Sequence, residues 1–320
     1  MRILLWHVHG SWTTAFVQGG HDYLLPVTPG RDADGLGRAR TWDWPANVDE
    51  VPLDRLADSE PDVVVLQRPR DLELARAHLR REPGRDVPAL WVEHNTPRGD
   101  VGGSRHPMAD RGDIPVAHVT HFNQLYWDTG RAPSTVVEHG IVDPGLRYTG
   151  DLERVAVAVN EPVRRGRITG TDLLPGFAAV APLDVFGMQV AGLGAALGVG
   201  PDRLAEHDDP PQHRLHELMA HRRVYLHTAR WTSLGLSLLE AMHLGMPVVV
   251  VGATEATEAV PDGAGTVSGR LDVLHRAIRE LLHEPELARA TGRRARQAAL
   301  DRYGLGRFLD DWDRLLKEVS

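Results

Sequence analysis

Several residue types on which many enzymes depend are scarce or missing in this 320-residue chain. It has no cysteine, which excludes disulfide bonds, thiolate nucleophiles and zinc sites with cysteine ligands. Its single lysine is Lys317, so a Schiff-base lysine or a Walker-type lysine is excluded from the rest of the chain. Any phosphate site must therefore use arginine side chains, helix N-termini and backbone N–H groups.

An excess of positive charge is also missing. The formal net charge is −8, which argues against nucleic acid as a partner because nucleic-acid-binding proteins need a strong positive field. No apolar run approaches the roughly 20 residues that cross a bilayer. The N-terminal residues lack the zones of a signal peptide. We therefore expect a cytoplasmic protein without a transmembrane segment.

Apolar, β-branched segments alternate with helical segments along most of the chain. This order predicts an α/β protein with doubly wound parallel sheets. The predicted strands are residues 3–8, 23–27, 62–66, 90–93, 116–119, 135–138, 155–159, 185–188, 224–227, 247–251 and 266–267. The predicted helices are residues 71–81, 173–181, 212–220, 233–244, 271–282 and 284–303.

A turn-rich segment at residues 142–151 separates two series of strands, and the length fits two domains of about 150 residues. We place an N-terminal Rossmann-like domain at residues 1–148 and a second at residues 149–304. Residues 305–320 form a C-terminal helix that could pack back on the first domain. Two such domains normally hold their ligand in a central cleft, at the carboxyl ends of the strands.

Residues 227–252 follow a strand, loop, helix, strand pattern, with Thr232 or Ser233 as the predicted N-cap. Glu240 lies on this helix, and Gly235 lies where an anion could approach backbone N–H groups. One interpretation is a nucleotide site, with phosphates on the N–H groups and ribose hydroxyls on Glu240. The other is a capped helix whose glutamate is half-exposed or ion-paired, and the residues alone favour neither.

Residues 235–250 (GLSLLEAMHLGMPVVV) resemble the donor-site signature of retaining GT-B glycosyltransferases of the family-4 (group 1) type. Residues 252–265 and 283–303 resemble the loop and terminal helices that follow that signature in the family. The resemblance implies two Rossmann-like domains, a nucleotide-sugar donor as substrate, transfer with retention, and neither a cofactor nor a bound metal ion.

The resemblance also implies roles for individual residues in this segment. Glu240 would bind the donor ribose, and Arg230 could add a positive charge that the family pattern does not require. Thr232 takes the place of the first glutamate of the family motif, which touches sugar hydroxyls, so the identity of the sugar is open. The amides that would meet the diphosphate or the sugar are those of Leu234, Gly235 and Leu236.

A second segment, residues 160–172, follows a predicted strand and carries three arginines around a glycine. Converging guanidinium groups at the carboxyl end of a strand suit a pyrophosphate. Arg165 best matches the family's phosphate-neutralising lysine, and the family's arginine falls near Asn160. Spacing does not decide which of Arg164, Arg165 and Arg167 binds phosphate, and a solvated basic loop is the alternative.

In the N-terminal half, His94 ends a predicted strand, as does a family histidine that contacts the transferred sugar. Taken alone, a histidine at such a position is more often structural. Gly10 and Ser11 follow the first strand and could open a helix near the acceptor. His139 lies in a segment that resembles the family's interdomain hinge and cleft wall.

Other patterns are weaker. Residues 192–198 approach a dinucleotide-binding glycine motif, but one glycine is displaced. Asp32 and Asp34 imitate a metal motif within a long loop, and we predict no metal site. His213, His216 and Glu217 share a predicted helix, for which a solvated face is the expected role. None of these three patterns is therefore predicted to form a ligand or metal site.

We therefore expect a hexosyltransferase-like glycosyltransferase whose acceptor is a glycan, a lipid-linked molecule or a small molecule. The resemblance leaves peripheral association with the inner face of the membrane open. One alternative is a degenerate GT-B protein that binds a nucleotide sugar or a partner without catalysis. Another is a different enzyme with two Rossmann domains, such as a nucleotide-sugar epimerase or a nicotinamide dehydrogenase.

Overall fold

The computed structural model describes residues 1–320, which divide into two compact units. Unit 1 comprises Met1–Val142 and Leu305–Ser320, and unit 2 is Asp143–Gly304. The segment after Val142 is bonded within unit 2, since Tyr148 N donates to Leu244 O at 3.0 Å. The division therefore lies before the predicted boundary between residues 148 and 149.

Unit 1 is built on one parallel sheet. Its strands are β1 Arg2–Leu5, β2 Asp22–Val27, β3 Val48–Pro52, β4 Val63–Leu66, β5 Ala89–Glu93, β6 Val116–His118 and β7 Ser134–Val136. Its helices in this part of the chain are α1 Gly10–Phe16, α2 Pro69–Leu74 and α3 His121–Tyr126. The seven strands lie in the order β3-β2-β1-β4-β5-β6-β7, and every pairing is parallel.

The sequence did not predict strand β3, which ends a segment that reads as a long polar loop. β3 is an edge strand with only Val48 fully buried, so it lacks the continuous apolar run of a central strand. The loop before it is anchored to unit 1. Arg31 Nη1 lies 2.7 Å from Glu50 Oε1, and Trp44 is buried with its Nε1 donating to Thr14 Oγ1 at 2.8 Å.

Unit 2 contains a second parallel sheet. Its strands are β8 Leu152–Ala158, β9 Leu183–Gly187, β10 Leu204–Asp208, β11 Arg222–His227, β12 Val248–Val251 and β13 Gly265–Ser268. Its helices are α4 Pro162–Arg165, α5 Leu174–Val180, α6 Leu193–Leu197, α7 Gln212–His221, α8 Leu236–Leu244, α9 Ala256–Ala259, α10 Leu271–His283 and α11 Pro285–Tyr303. The six strands lie in the order β10-β9-β8-β11-β12-β13, and the unpredicted β10 is again a polar edge strand.

The last helix, α12 (Leu305–Val319), belongs to unit 1 although it follows unit 2 in the chain. Its buried residues Phe308, Trp312 and Leu316 recur every four positions and form one apolar face. The Trp312 ring lies 5.5 Å from that of Trp12 and 5.2 Å from that of Phe16. The helix therefore completes an aromatic part of the unit 1 core.

In each sheet the strand order reverses direction once. In unit 1 the reversal lies between β1 and β4, because β2 and β3 follow on one side and β5 to β7 on the other. In unit 2 it lies between β8 and β11. Ligands of doubly wound sheets bind outside the carboxyl ends of the strands at such a point. The loops that follow β8 and β11 are therefore where a site in unit 2 is expected. No helix of the chain is both long and apolar enough to cross a membrane.

Candidate functional site

The loops after β8 and β11 are joined to each other. Thr228 Oγ1 donates to Thr169 O at 2.7 Å, and the Arg230 N–H donates to Ile168 O at 2.9 Å. Gly170 packs so closely on Thr228 that a Cβ there would come within 2.0 Å of Thr228 O. The arginine-rich loop and the segment before α8 thus form one continuous backbone surface at the switch point of unit 2.

Most of the predicted basic residues on this surface are paired with carboxylates. Arg164 forms a two-bonded ion pair with Glu161, three positions earlier. Arg167 Nη1 lies 2.9 Å from Asp172 Oδ2, and Arg230 Nη2 donates to the same oxygen at 3.0 Å. Each of these three guanidinium groups therefore has a carboxylate partner within the protein, although Arg167 and Arg230 share Asp172.

Arg165 differs from its neighbours. Its side chain is half-buried and forms no hydrogen bond or ion pair with the protein. Burial lowers the pKa of its guanidinium, as does the adjacent charge of Arg164, but an arginine stays protonated at neutral pH. Asn160 Oδ1 accepts the Met188 N–H at 2.9 Å and so holds the loop. The unpaired positive charge of this loop is the one on Arg165.

Helix α8 begins after Gly235, so the predicted N-cap at Thr232 or Ser233 is wrong. No side chain caps the helix, and the first-turn N–H groups of Leu236 and Ser237 have no partner within it. Ser237 Oγ accepts the Tyr225 hydroxyl at 2.9 Å. The N-terminus of α8 is thereby fixed over β11, with Leu234 buried just before it.

His227, the last residue of β11, lies beside the start of α8, and the sequence analysis did not single it out. It is 6% exposed, and its ring packs against Gly235, where a Cβ would come within 2.3 Å of His227 Cε1. Burial lowers the pKa of His227 to about 4, so the ring is neutral at pH 7. The only sequence signal was a polar residue at the end of a buried central strand.

Glu240 is buried, not half-exposed, and its Oε2 lies 3.4 Å from His216 Nε2. His216 is buried on α7, so the expectation that it lies on a solvated face is wrong. Helix α7 turns this position toward α8, while His213 and Glu217 of the same helix face solvent. The predicted ribose-binding carboxylate therefore has a histidine neighbour from another helix.

In unit 1, His94 is buried directly after β5. Gln67 Nε2 donates to Trp6 O at 2.8 Å, which turns Gln67 Oε1 toward His94 Nε2 at 3.0 Å. Burial holds the pKa of His94 well below its usual value, so the ring is neutral. A neutral ring that donates from Nε2 keeps Nδ1 as its acceptor.

The neighbouring Glu93 anchors the loop that follows β5. His106 Nδ1 accepts the Met108 N–H at 3.0 Å, so His106 Nε2 donates to Glu93 Oε2, also at 3.0 Å. Glu93 Oε1 accepts the Asn95 N–H at 2.7 Å. Its carboxylate is thus bonded on both oxygens, and its role in the structure is to hold this loop.

The other predicted residues of unit 1 lie around His94. The ring of His9 is 4.0 Å from that of His94, and the buried His139 ring has no hydrogen-bond partner on either nitrogen. Burial lowers the pKa of His9 to about 4 and that of His139 to about 3. Gly10 is the first residue of α1, and Ser11 lies in the same turn. A Cβ at position 10 would come within 2.5 Å of the Trp42 ring, so the glycine leaves room for that ring.

The discounted patterns have structural explanations. Glu206 accepts the N–H groups of Gly192 and Gly194, both at 2.7 Å, so its carboxylate occupies the amides of the glycine-rich turn. Asp34 Oδ2 lies 2.6 Å from Arg70 Nη2. The chain brings together no group of three or more histidine, aspartate or glutamate side chains that could hold a metal ion.

Comparisons with known proteins bear on the fold and on the class of protein. Residues 207–298 match the family described as "Glycosyl transferases group 1". This match covers the segment from β10 into α11 and includes His216, His227, Gly235 and Glu240. No curated protein matches the chain in sequence.

Solved structures resemble the chain over almost its whole length. Sucrose-phosphate synthase from Thermosynechococcus elongatus has a TM-score of 0.72 at 14% identity, over 99% of this chain and 98% of that one. Anabaena Alr3699/HepE, in complex with UDP and glucose, has a TM-score of 0.74 at 15% identity, over 99% and 100%. A glycosyltransferase from Rickettsia africae has a TM-score of 0.66 at 13% identity, over 99% and 98%.

At such low identity the structural resemblance establishes the fold, which is two Rossmann-like domains of the GT-B type. The family match in unit 2 adds a glycosyltransferase domain to that fold. Together they support a GT-B glycosyltransferase.

Proposed function

We propose that this chain transfers a sugar from a nucleotide-sugar donor to an acceptor, with retention of anomeric configuration and without a bound metal ion. The family match at residues 207–298 supports the class of reaction. The similar Anabaena structure contains UDP and glucose, which supports a nucleotide sugar as donor. The reaction would be of the hexosyltransferase type.

The observation that carries this proposal is the unpaired charge of Arg165. Arg164 is paired with Glu161, and Arg167 and Arg230 share Asp172, whereas the half-buried Arg165 forms no ion pair with the protein. A half-buried charge without a partner is costly unless a ligand supplies the opposite charge. A diphosphate supplies it, and it also suits the N–H groups at the start of α8.

The charges suggest how these residues act. Cleavage at the anomeric carbon gives an oxocarbenium-like sugar and a nucleoside diphosphate with additional negative charge. Arg165 and the first-turn N–H groups of α8 would stabilise that charge as it develops. Glu240 would hold the ribose hydroxyls, and the leaving phosphate would assist deprotonation of the acceptor. His94 stays a prediction as the residue that contacts the transferred sugar.

The acceptor is proposed as a class only: a glycan, a lipid-linked molecule or a small molecule. A lipid-linked acceptor would bring the protein to the inner face of the membrane from the cytoplasm. Binding to vesicles that contain a candidate lipid acceptor, compared with vesicles that lack it, separates this case from a water-soluble acceptor.

A donor panel and two arginine variants test the proposal. Thermal unfolding with UDP-, GDP-, ADP- and TDP-sugars identifies the donor, because a ligand raises apparent stability by mass action. With that donor, Arg165→Ala should reduce nucleotide release by about a hundredfold or more. Arg164→Ala, which removes a neighbouring arginine already paired with Glu161, should change it little. Equal loss in both variants, or normal turnover in Arg165→Ala, would contradict the proposed clamp.

A second candidate is a protein that binds a nucleotide sugar without catalysis. It is favoured by Thr232, which stands where the family motif has a glutamate. Stabilisation by a nucleotide sugar without release of nucleotide, across a panel of acceptors and with or without EDTA, would support it. Release that is unaffected by EDTA would support the metal-independent enzyme.

A further inference from the structure

His227 lies beside the proposed donor site, and the proposed function gives it no role. It ends β11, one of the two strands at the switch point, and is 6% exposed. Its ring forms no hydrogen bond with the protein, and its nitrogens are not among the fully enclosed polar atoms that lack a partner. Because these nitrogens are not fully enclosed, a ligand can reach them.

Gly235 adds a second, independent observation. Its backbone has φ −72° and ψ 116°, which any residue can adopt, so this glycine is not needed for its conformational freedom. It is needed for space, since a Cβ would come within 2.3 Å of His227 Cε1 and 3.0 Å of Nε2. The ring of His227 is thus seated against the residue that caps α8, next to the uncapped first-turn N–H groups.

We propose that His227 is a donor-binding residue whose imidazole N–H donates a hydrogen bond to the sugar-linked phosphate of the nucleotide sugar. This inference rests on the proposed function. The ring adjoins the N-terminus of α8, and the next residue, Thr228, is bonded to the loop that carries Arg165. A phosphate at that helix end accepts hydrogen bonds only, which matches an N–H donor left without a partner in the protein.

The first test uses the native protein. The ring nitrogens of histidines are labelled with ¹⁵N, and the His227 signal is assigned by its loss in His227→Phe. UDP and GDP, whichever binds, should shift the ring N–H signal of His227, whereas the matching monophosphate should leave it unchanged. This measurement does not depend on a variant that keeps its activity.

Variants give the second test. His227→Phe should weaken binding of the nucleoside diphosphate about tenfold, the effect expected for one lost hydrogen bond to a charged group. Binding of the monophosphate should not change. His227→Asn keeps an N–H donor and should bind more tightly than His227→Phe. His243→Phe, a buried histidine of α8 away from its N-terminus, is the control.

The outcomes separate this inference from the proposed function. The inference is wrong, and His227 is a packing residue, if the diphosphate binds without moving the His227 signal. The same holds if His227→Phe weakens binding of the diphosphate and of the monophosphate equally. The proposed function would then still stand on Arg165. If neither nucleotide nor any nucleotide sugar binds the native protein, both are wrong.

Discussion

His216 Nε2 lies 3.4 Å from Glu240 Oε2, and both side chains are buried at the contact between α7 and α8. Gln212, one turn earlier on α7, places its Nε2 2.9 Å from His216 Nε2. An amide nitrogen can only donate, so His216 Nε2 accepts from Gln212. The carboxylate that would hold the ribose therefore has His216 of a second helix as a close neighbour, not as a hydrogen-bond donor. Ligand affinity should depend on His216 even if that residue never touches the ligand.

We predict that Glu240→Gln weakens UDP or GDP binding about tenfold, the effect of one charged hydrogen bond to the ribose, and that His216→Phe weakens it about fivefold because the neighbour that packs on Glu240 is changed. Isothermal titration calorimetry measures both. With a 2′,3′-dideoxy nucleotide the two losses should disappear, because the ribose hydroxyls are gone. His213→Phe, on the exposed face of α7, serves as control. A loss that persists with the dideoxy nucleotide would show that His216 acts on the fold and not on Glu240.

We predict that Gly235→Ala damages the start of α8 by steric overlap. The new methyl group would lie 2.3 Å from His227 Cε1, while the backbone angles themselves allow alanine. The variant should lose about 1–3 kcal/mol of stability, as overpacked positions do. Urea unfolding measures the loss, and His227→Ala in the same chain should recover part of it. If the double variant is no more stable than Gly235→Ala, the overlap is not the cause.

We predict a large loss of stability for Asp184→Asn. Asp184 is 1% exposed and lies 2.6 Å from Arg222 Nε and 2.8 Å from Arg154 Nη2. These charges hold the pKa of Asp184 below its usual value although burial opposes this shift. Removing one partner of a buried ion pair costs about 3–5 kcal/mol.

The control for that measurement is Glu286→Gln, which removes the exposed partner of Arg289. Exposed ion pairs contribute about 0–1 kcal/mol, so urea unfolding should hardly change. Similar losses in the two variants would contradict the buried network as a source of stability for unit 2.

We predict that unit 1 loses stability in acid. Burial lowers the pKa of His9 to about 4 and of His139 to about 3, and their values in the unfolded chain are about 6.5. Between these limits the unfolded state binds more protons, so stability falls as the pH drops below about 6.5 and is constant above it. The charge of Glu93 opposes the lowering of the His9 pKa, whereas that of Arg307 adds to the lowering of the His139 pKa.

Calorimetric unfolding over this pH range checks the prediction. His139→Phe should flatten the pH dependence, because it removes one group that must stay neutral in the folded state. His213→Gln removes an exposed histidine and should leave the dependence as it is. An unchanged slope in His139→Phe would contradict the buried, neutral state of that ring.

The sequence predicted the elements that have a clear local pattern, such as a continuous apolar run or a periodic apolar face. β12 is a run of four buried valines, and α10 follows directly from its periodic apolar face. β3 and β10 were missed because edge strands bury only part of their residues. The N-cap of α8 was placed too early because Thr232 and Ser233 are better caps than Gly235 in isolation.

In the candidate site, too, only contacts between residues close in sequence could be predicted. Glu161 and Arg164 are three residues apart, so their pairing is a local matter. The pairing of Arg167 and Arg230 with Asp172 depends on the way two loops meet, which no spacing reveals. The same is true of His216 beside Glu240 and of His227 beneath Gly235. Contacts between elements determine which of several similar side chains is left free for a ligand.

The chain leaves unit 1 at Val142 and returns to it at Leu305. During synthesis, which proceeds from the N-terminus, unit 2 can therefore fold first although it comes second. Trp12 and Phe16 lack their contacts with Trp312 until α12 has been synthesised. Termination near Gly304 would thus leave unit 2 whole and unit 1 with an exposed aromatic surface, and such a surface promotes aggregation.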